Sequence, residues 1–267
     1  MSRFTSQLTG AHVLVTGGRK GIGRVIVETF LTEGANVSYC SRKVTGEEFS
    51  TFKGATGGAR AAGTSVDIAD PDSIKAWVES SANTFGRIDI VVANACPRFI
   101  GPSVEDWQKS FQADVVGLIT LIHATTPHLE KREGAGSIIV ISSLAGFEAK
   151  HPAHTGPYAT LKRAQATLAK DFSVVLGPKG IRINSIAPGT INPPGTTLPD
   201  GTEEPSTFQK AMTSNPSLIE GLLPNIPLKR VGDGQDVANA VVFLGSRLSS
   251  YITGTTTIID GGMSTTM

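Results

Sequence analysis

Cysteine is scarce: the 267 residues contain only Cys40 and Cys96. Two distant cysteines make neither a disulfide framework nor metal-ligand spacing, so no metal is expected and a reducing, cytoplasmic setting fits. An excess of one charge is also missing. The 24 basic residues are matched by 23 acidic ones, for a formal net charge of +1. That balance gives no electrostatic reason to expect nucleic acid or an anionic membrane as a partner. No apolar run approaches the roughly 20 residues of a membrane helix. The opening "MSRFTSQLTG" lacks the apolar stretch of a signal peptide.

Glycine is plentiful, with 30 residues, and short apolar runs alternate with helical patterns. Strands are predicted at "HVLVTG" (12–17), "ANVSYCS" (35–41), "GTSVDI" (63–68), "IDIVVANA" (88–95), "SIIVISS" (137–143), "IRINSIA" (181–187) and "TTTIID" (255–260). Between them, Ile22, Ile26 and Phe30 recur at helical spacing. So do Ile74, Trp77 and Val78 after a capping Asp70-Pro71. A long helix is predicted from about Val104 to Glu130, another from Tyr158 to Leu176, and a last one over 234–245. The alternation predicts one α/β domain over 1–267, a Rossmann-type, doubly wound, mainly parallel seven-stranded sheet with helices on both faces. One segment breaks the rhythm. About 40 residues between Gly189 and Arg230 carry seven prolines. So long an insertion in a compact domain is read as a substrate-binding loop or lid over about 190–230.

"VTGGRKGIGR" (15–24) follows the first strand and opens a helix. Glycines there let a backbone approach a pyrophosphate, and the free N–H groups of a helix start face the anion. Gly17, Arg19, Lys20, Gly21, Ile22 and Gly23 are therefore candidate cofactor residues. The bland alternative is a tight turn with solvated cations. At the end of the second strand, folds that bind NAD place an acid on the ribose hydroxyl. Here the stretch reads Cys40-Ser41-Arg42-Lys43, with no acid. A carboxylate would repel a 2′-phosphate, whereas the Ser41 hydroxyl and Arg42 guanidinium would bind it, with Lys20 in reach. NADP(H) is the predicted cofactor.

Tyr158 and Lys162 stand at i and i+4, on one face of a helix. A phenol with a pKa near 10 is a poor acid–base group at neutral pH, and a nearby ammonium favours its ionised form. Ser142-Ser143, ending the preceding strand, can supply a hydroxyl to the same site.

These residues, in this order, resemble the short-chain dehydrogenases/reductases of the classical type. The resemblance runs from "TGGRKGIG" through Asp67, Ala93-Asn94-Ala95, Ile141-Ser142-Ser143, Tyr158/Lys162 and Pro188-Gly189-Thr190-Ile191 to "Tyr251-Ile252-Thr253-Gly254" and the terminal "DGG". It implies that Ser143 polarises a substrate carbonyl, Tyr158 gives or takes the hydroxyl proton, and Lys162 binds the nicotinamide ribose. It also implies a phosphate contact from the Ile22 backbone. Asp67 would lie at the adenine, Asn94 at the adenosine-side ribose and Ile191 at the carboxamide, with Ile68, Pro188 and Gly189 counted among the cofactor-binding residues. Homotetramers, or homodimers, are implied as well.

Three departures stand out. Where the family carries an Asn that holds a relay water, this chain has Asp114, three residues before Gly117, and no Asn lies within 104–130. Asp114 is expected to face the relay as an anion and is counted with Ser143, Tyr158 and Lys162 as a catalytic candidate. "Asn-Ala-Gly" reads Asn94-Ala95-Cys96, and Pro193 stands where a threonine is usual. The Ser143–Tyr158 gap is slightly long and holds His151 and His154, which face either substrate or solvent. The leading expectation is an NADPH-dependent reductase acting on a carbonyl of a moderately large, mostly apolar organic molecule, or the reverse reaction. One alternative is a non-redox dehydratase, isomerase or cyclase that keeps the nucleotide as structure. Another is a nucleotide-sensing regulatory protein.

Overall fold

The computed structural model describes residues 6–50, 52–96, 101–132, 136–148, 156–197 and 201–265. The central sheet has seven strands: β1 (His12–Thr16), β2 (Asn36–Ser41), β3 (Ala61–Ser65), β4 (Ile90–Ala93), β5 (Gly136–Ile141), β6 (Ile181–Pro188) and β7 (Thr256–Ile259). Their spatial order is β3-β2-β1-β4-β5-β6-β7, and every pairing is parallel. The winding reverses between β1 and β4. That leaves a crevice beyond the carboxyl ends of these strands, where open α/β sheets take ligands.

Side-chain alternation divides the interior in two. Val13, Val15, Ile139 and Ile141 point to one face, under α1 (Gly21–Thr32) and α8 (Gly234–Gly245). Leu14, Ile138 and Val140 point to the other, under α2 (Pro71–Phe85), α4 (Gly117–Glu130) and α5 (Tyr158–Leu176). With both faces covered, the central strands read as unbroken apolar runs. Local chemistry sets the helix ends. Asp70 accepts a hydrogen bond from Asp72 N–H at the start of α2, Pro71 follows it, and Gly86 ends the helix at φ 73°.

Two expectations are adjusted. The third strand spans 61–65 and not 63–68, because β2 sets its register, from Val37 opposite Ala61 to Ser41 opposite Ser65. The stretch 104–130 is a continuous helical run but not a single α-helix. α3 (Val104–Phe111) passes through a π-turn at Gln112–Val116 into α4. There the Gly117 N–H bonds back to the Gln112 carbonyl, a widened turn of the kind often found at functional sites. Gly117 sits where a Cβ would lie 2.3 Å from the Ile68 carbonyl oxygen, so the helix comes this close to the segment after β3 only with a glycine here.

The proline-rich segment has structure of its own. Ile191–Asn192 pairs with Gly232–Asp233, and Thr196–Thr197 pairs antiparallel with Glu203–Glu204. α6 (Thr207–Ser214) and α7 (Leu218–Leu222) follow. No helix among the described residues is long and apolar enough to cross a membrane.

Candidate active site

A cleft of about 1240 Å³ opens along the carboxyl ends of the strands. Its floor begins at the glycine turn. Gly17 has φ +69°, and a Cβ on Gly23 would lie 2.2 Å from the Gly17 carbonyl oxygen, so the turn closes this tightly only without side chains. Asn94 ties it to β4: its Nδ2 donates to the Thr16 carbonyl at 2.9 Å and to the Gly17 carbonyl at 3.3 Å. Thr16 Oγ1 in turn accepts from the N–H groups of Asn94 and Ala95, both at 3.0 Å. No side chain caps the start of α1. The first-turn N–H groups are thus available to an anion, and the backbone is bare enough to approach it. This cradle fits the pyrophosphate of a dinucleotide.

Gly17, Lys20, Gly21, Ile22, Gly23, Ser41, Arg42, Asp67, Ile68 and Asn94 all line this end of the cleft. Arg19 does not. Its guanidinium lies 3.1 Å from the Glu204 carboxylate and 3.8 Å from that of Glu48, so two carboxylates compete for it. The Lys20 ammonium, expected at a 2′-phosphate, is 2.8 Å from the same Glu204. Burial pushes the Glu48 carboxyl up. The Tyr39 hydroxyl and the N–H groups of Thr45 and Gly46 outweigh that and hold it below its ordinary value.

At the other end, α5 begins at Tyr158 directly after Pro157, with Lys162 one turn further on. Tyr158, Lys162 and Ser143 all line the cleft, with Pro188, Gly189 and Ile191 beside them. The buried Lys162 ammonium donates to the Ile141 carbonyl at 2.8 Å and to Gln165 Oε1 at 2.9 Å. Gln165 Nε2 then donates to the Asp114 carbonyl at 2.8 Å. Ser142 and Ser143 separate clearly. The Ser142 hydroxyl is buried and donates to the Lys162 carbonyl at 2.6 Å, whereas Ser143 is only partly buried in the cleft wall and its Oγ accepts from Ala145 N–H at 3.2 Å. Sequence reasoning missed Gln165. Its place at i+3 from Lys162 was the available signal, since that spacing brings two side chains together on a helix.

Asp114 is not where it was expected. It lies behind the wall of the cleft, beside a separate cavity of about 20 Å³ that Gln165 also lines. The π-turn aims its carboxyl at Cys96, with Oδ2 3.8 Å from the sulfur, and leaves Oδ1 buried without a hydrogen-bond partner. Burial pushes this carboxyl up, and the opposing pull of the Lys162 charge is smaller. The Asp114 side chain, expected to face the relay, thus does not line the cleft. What faces the lysine network is the Asp114 carbonyl, and the Gln165 amide is what meets it. His151 and His154 lie outside the described residues.

A family model described as enoyl-(acyl carrier protein) reductase matches residues 16–264. The isoepoxydon dehydrogenase of Penicillium expansum is 45% identical over 97% of each chain. The oxidoreductase UcpA of Salmonella typhimurium is 33% identical over 96% of this chain and 95% of its own. Levodione reductase superposes with a TM-score of 0.84 at 27% identity, over 98% of this chain and 100% of its own. The chain belongs to the short-chain dehydrogenase/reductase family. A 7α-hydroxysteroid dehydrogenase complexed with NADH and 7-oxo glycochenodeoxycholic acid is also similar, with a TM-score of 0.81 at 27% identity, over 98% of this chain and 97% of its own. As a member of this family, the protein is an oxidoreductase that uses a nicotinamide cofactor, and the cleft along the strand ends has the cradle for it.

Proposed function

We propose that the protein interconverts a carbonyl and an alcohol on a moderately large, mostly apolar organic substrate, with NADP(H) as cofactor. The observation that carries this is the placement of Ser143, Tyr158 and Lys162 on the same cleft as the glycine turn. A bound nicotinamide would supply or accept the hydride. Tyr158 gives or takes the hydroxyl proton. Ser143, held by Ala145 N–H, orients and polarises the carbonyl. Lys162, anchored by Ile141 and Gln165, holds the nicotinamide ribose and keeps a positive charge beside the phenol. Ser41 and Arg42 are the groups that select the 2′-phosphate.

The substrate end is lined by Phe208, Leu218 and Leu222 from the proline-rich segment, which supports an apolar substrate. The likeness to an isoepoxydon dehydrogenase and to a levodione reductase supports a ring alcohol or ketone of that size. A homotetramer or homodimer belongs to the same reading. Exposed apolar residues on α5 (Val174, Val175) and near the C-terminus (Phe243, Leu248, Tyr251) support it, and light scattering tests it.

The activity is tested by following NADPH absorbance with levodione and a panel of ketones, and NADP+ reduction with isoepoxydon. Consumption or formation of NADPH is expected. Tight nucleotide binding with no redox change on any carbonyl or alcohol would overturn the reading in favour of a non-redox enzyme or a nucleotide sensor. Asp114, a departure from the family pattern, stands behind the cleft wall and gives the non-redox alternative no support.

A further inference from the structure

Glu204 stands 184 positions from Lys20 in the chain, yet its Oε1 accepts from the Lys20 ammonium at 2.8 Å. Its Oε2 lies 3.1 Å from the Arg19 guanidinium, buried, and without a well-aligned hydrogen bond. The Glu204 side chain is about one-quarter exposed and lines the same cleft as Ser41 and Arg42. Both cations of the glycine turn are thus engaged by one carboxylate from the proline-rich segment.

Glu48, the other carboxylate near Arg19, is satisfied elsewhere by Tyr39, Thr45 and Gly46. Glu204 has no such support. Among the described residues its carboxylate meets only the two cations, one of them at poor geometry. It is the anion that another anion can replace. A dinucleotide 2′-phosphate carries more charge and more acceptor oxygens than a carboxylate. Arg42 forms no ion pair among the described residues and is exposed at the same end of the cleft, so it completes a cationic site once Glu204 yields.

We propose that Glu204 is a specificity-determining residue: an internal anion that occupies Lys20 and Arg19 and is displaced only by a 2′-phosphorylated dinucleotide. The proposal rests on the reading that the glycine turn cradles the cofactor. It has two consequences. Glu204 reduces the affinity advantage of NADP(H) over NAD(H) below what the cations alone would give. In addition, 2′-phosphate binding frees the Glu203–Glu204 strand from the glycine turn, so cofactor choice is linked to the segment that lines the substrate end.

The test is Glu204→Gln, which keeps the shape and removes the charge. Dissociation constants for NADPH and NADH, read by nucleotide fluorescence without turnover, should change unequally. NADPH is expected to bind roughly fivefold tighter and NADH within about twofold of wild type, with the gain shrinking as salt rises. In a Lys20→Gln/Arg19→Gln background, the same substitution should have no selective effect. An equal change for both nucleotides, no change, or weaker NADPH binding would each overturn the proposal. So would a selective gain that persists without the two cations. The wild-type ratio is a separate measurement: a native preference for NADH would sink the NADP(H) reading and leave Glu204 competition standing or falling on its own result.

Discussion

The two ends of the cleft are built on different physics. At the Tyr158 end, Lys162 is 3% exposed, and its ammonium is fixed by a carbonyl and a buried amide. At the glycine-turn end, the Lys20 side chain is 52% exposed and paired with the Glu204 carboxylate. A buried hydrogen-bonded group loses a great deal when one partner is removed, since the other is left unsatisfied. An exposed ion pair is worth little by itself, because water and salt replace most of it. The first end should therefore act all or none, and the second should be graded and tunable.

The sharpest way to break this comparison is Tyr158→Phe. Turnover is expected to fall by about 10²–10⁴-fold, the usual contribution of a positioned acid–base group, while the NADPH dissociation constant stays near wild type. Steady-state kinetics beside equilibrium binding would show it. Substantial residual turnover would mean that the proton moves elsewhere.

Gln165→Met comes next. The thioether matches the amide in length but cannot accept from Lys162 or donate to the Asp114 carbonyl, the two bonds Gln165 now makes. Each unsatisfied buried partner costs about 1–3 kcal/mol. We expect kcat to drop about tenfold, the substrate KM to stay unchanged, and Tm to fall by several degrees. A lower Tm with an unchanged kcat would make Gln165 mere packing and separate the lysine from the network behind it.

Arg42→Ala probes the graded end. Wild type should bind NADPH at least tenfold tighter than NADH, a preference of about 1.4 kcal/mol. Removing the guanidinium should bring the ratio near unity without abolishing binding, because the glycine turn and the α1 N–H groups remain. Titration of both nucleotides reads this directly. Equal affinities in wild type would overturn the NADP(H) assignment.

The contrast also explains what could be read in advance. The seven strands and the helices covering both faces were legible because apolar runs and helical spacing report burial directly, and Val13, Leu14 and Val15 do divide between the two faces. Ser143 could be told from Ser142 only by resemblance, and the structure supplies the reason: one hydroxyl is taken by the Lys162 carbonyl. The π-turn was invisible, since one extra residue in a turn leaves the apolar stripe of 104–130 nearly intact. That missed residue re-aims Asp114 and thereby misplaced a candidate. The Glu204 contact was equally hidden. A pairing across 184 residues has no local signature, and an acid in a proline-rich loop reads as solvated.

The smallest effect should come from Asp114→Asn, and it concerns stability before catalysis. The carboxyl has an ordinary value of 3.8, and burial raises it in the folded chain, with Lys162 opposing. A carboxyl whose value rises on folding stabilises the fold only while it is protonated. That contribution is complete below 3.8 and is lost as pH climbs through the raised value. At neutral and alkaline pH, folding then works against the ionisation of Asp114, and a neutral Asn escapes this cost. Asp114→Asn should therefore melt higher than wild type at pH 8, and the two curves should converge as pH falls toward 3.8. Scanning calorimetry across that range would show it. Cofactor preference should not change, because Asp114 lies outside the main cleft. A variant less stable than wild type at pH 8, with the difference vanishing toward low pH, would instead mean that the carboxylate is ionised and held by the Lys162 charge, so that the wall of the cleft carries an anion after all.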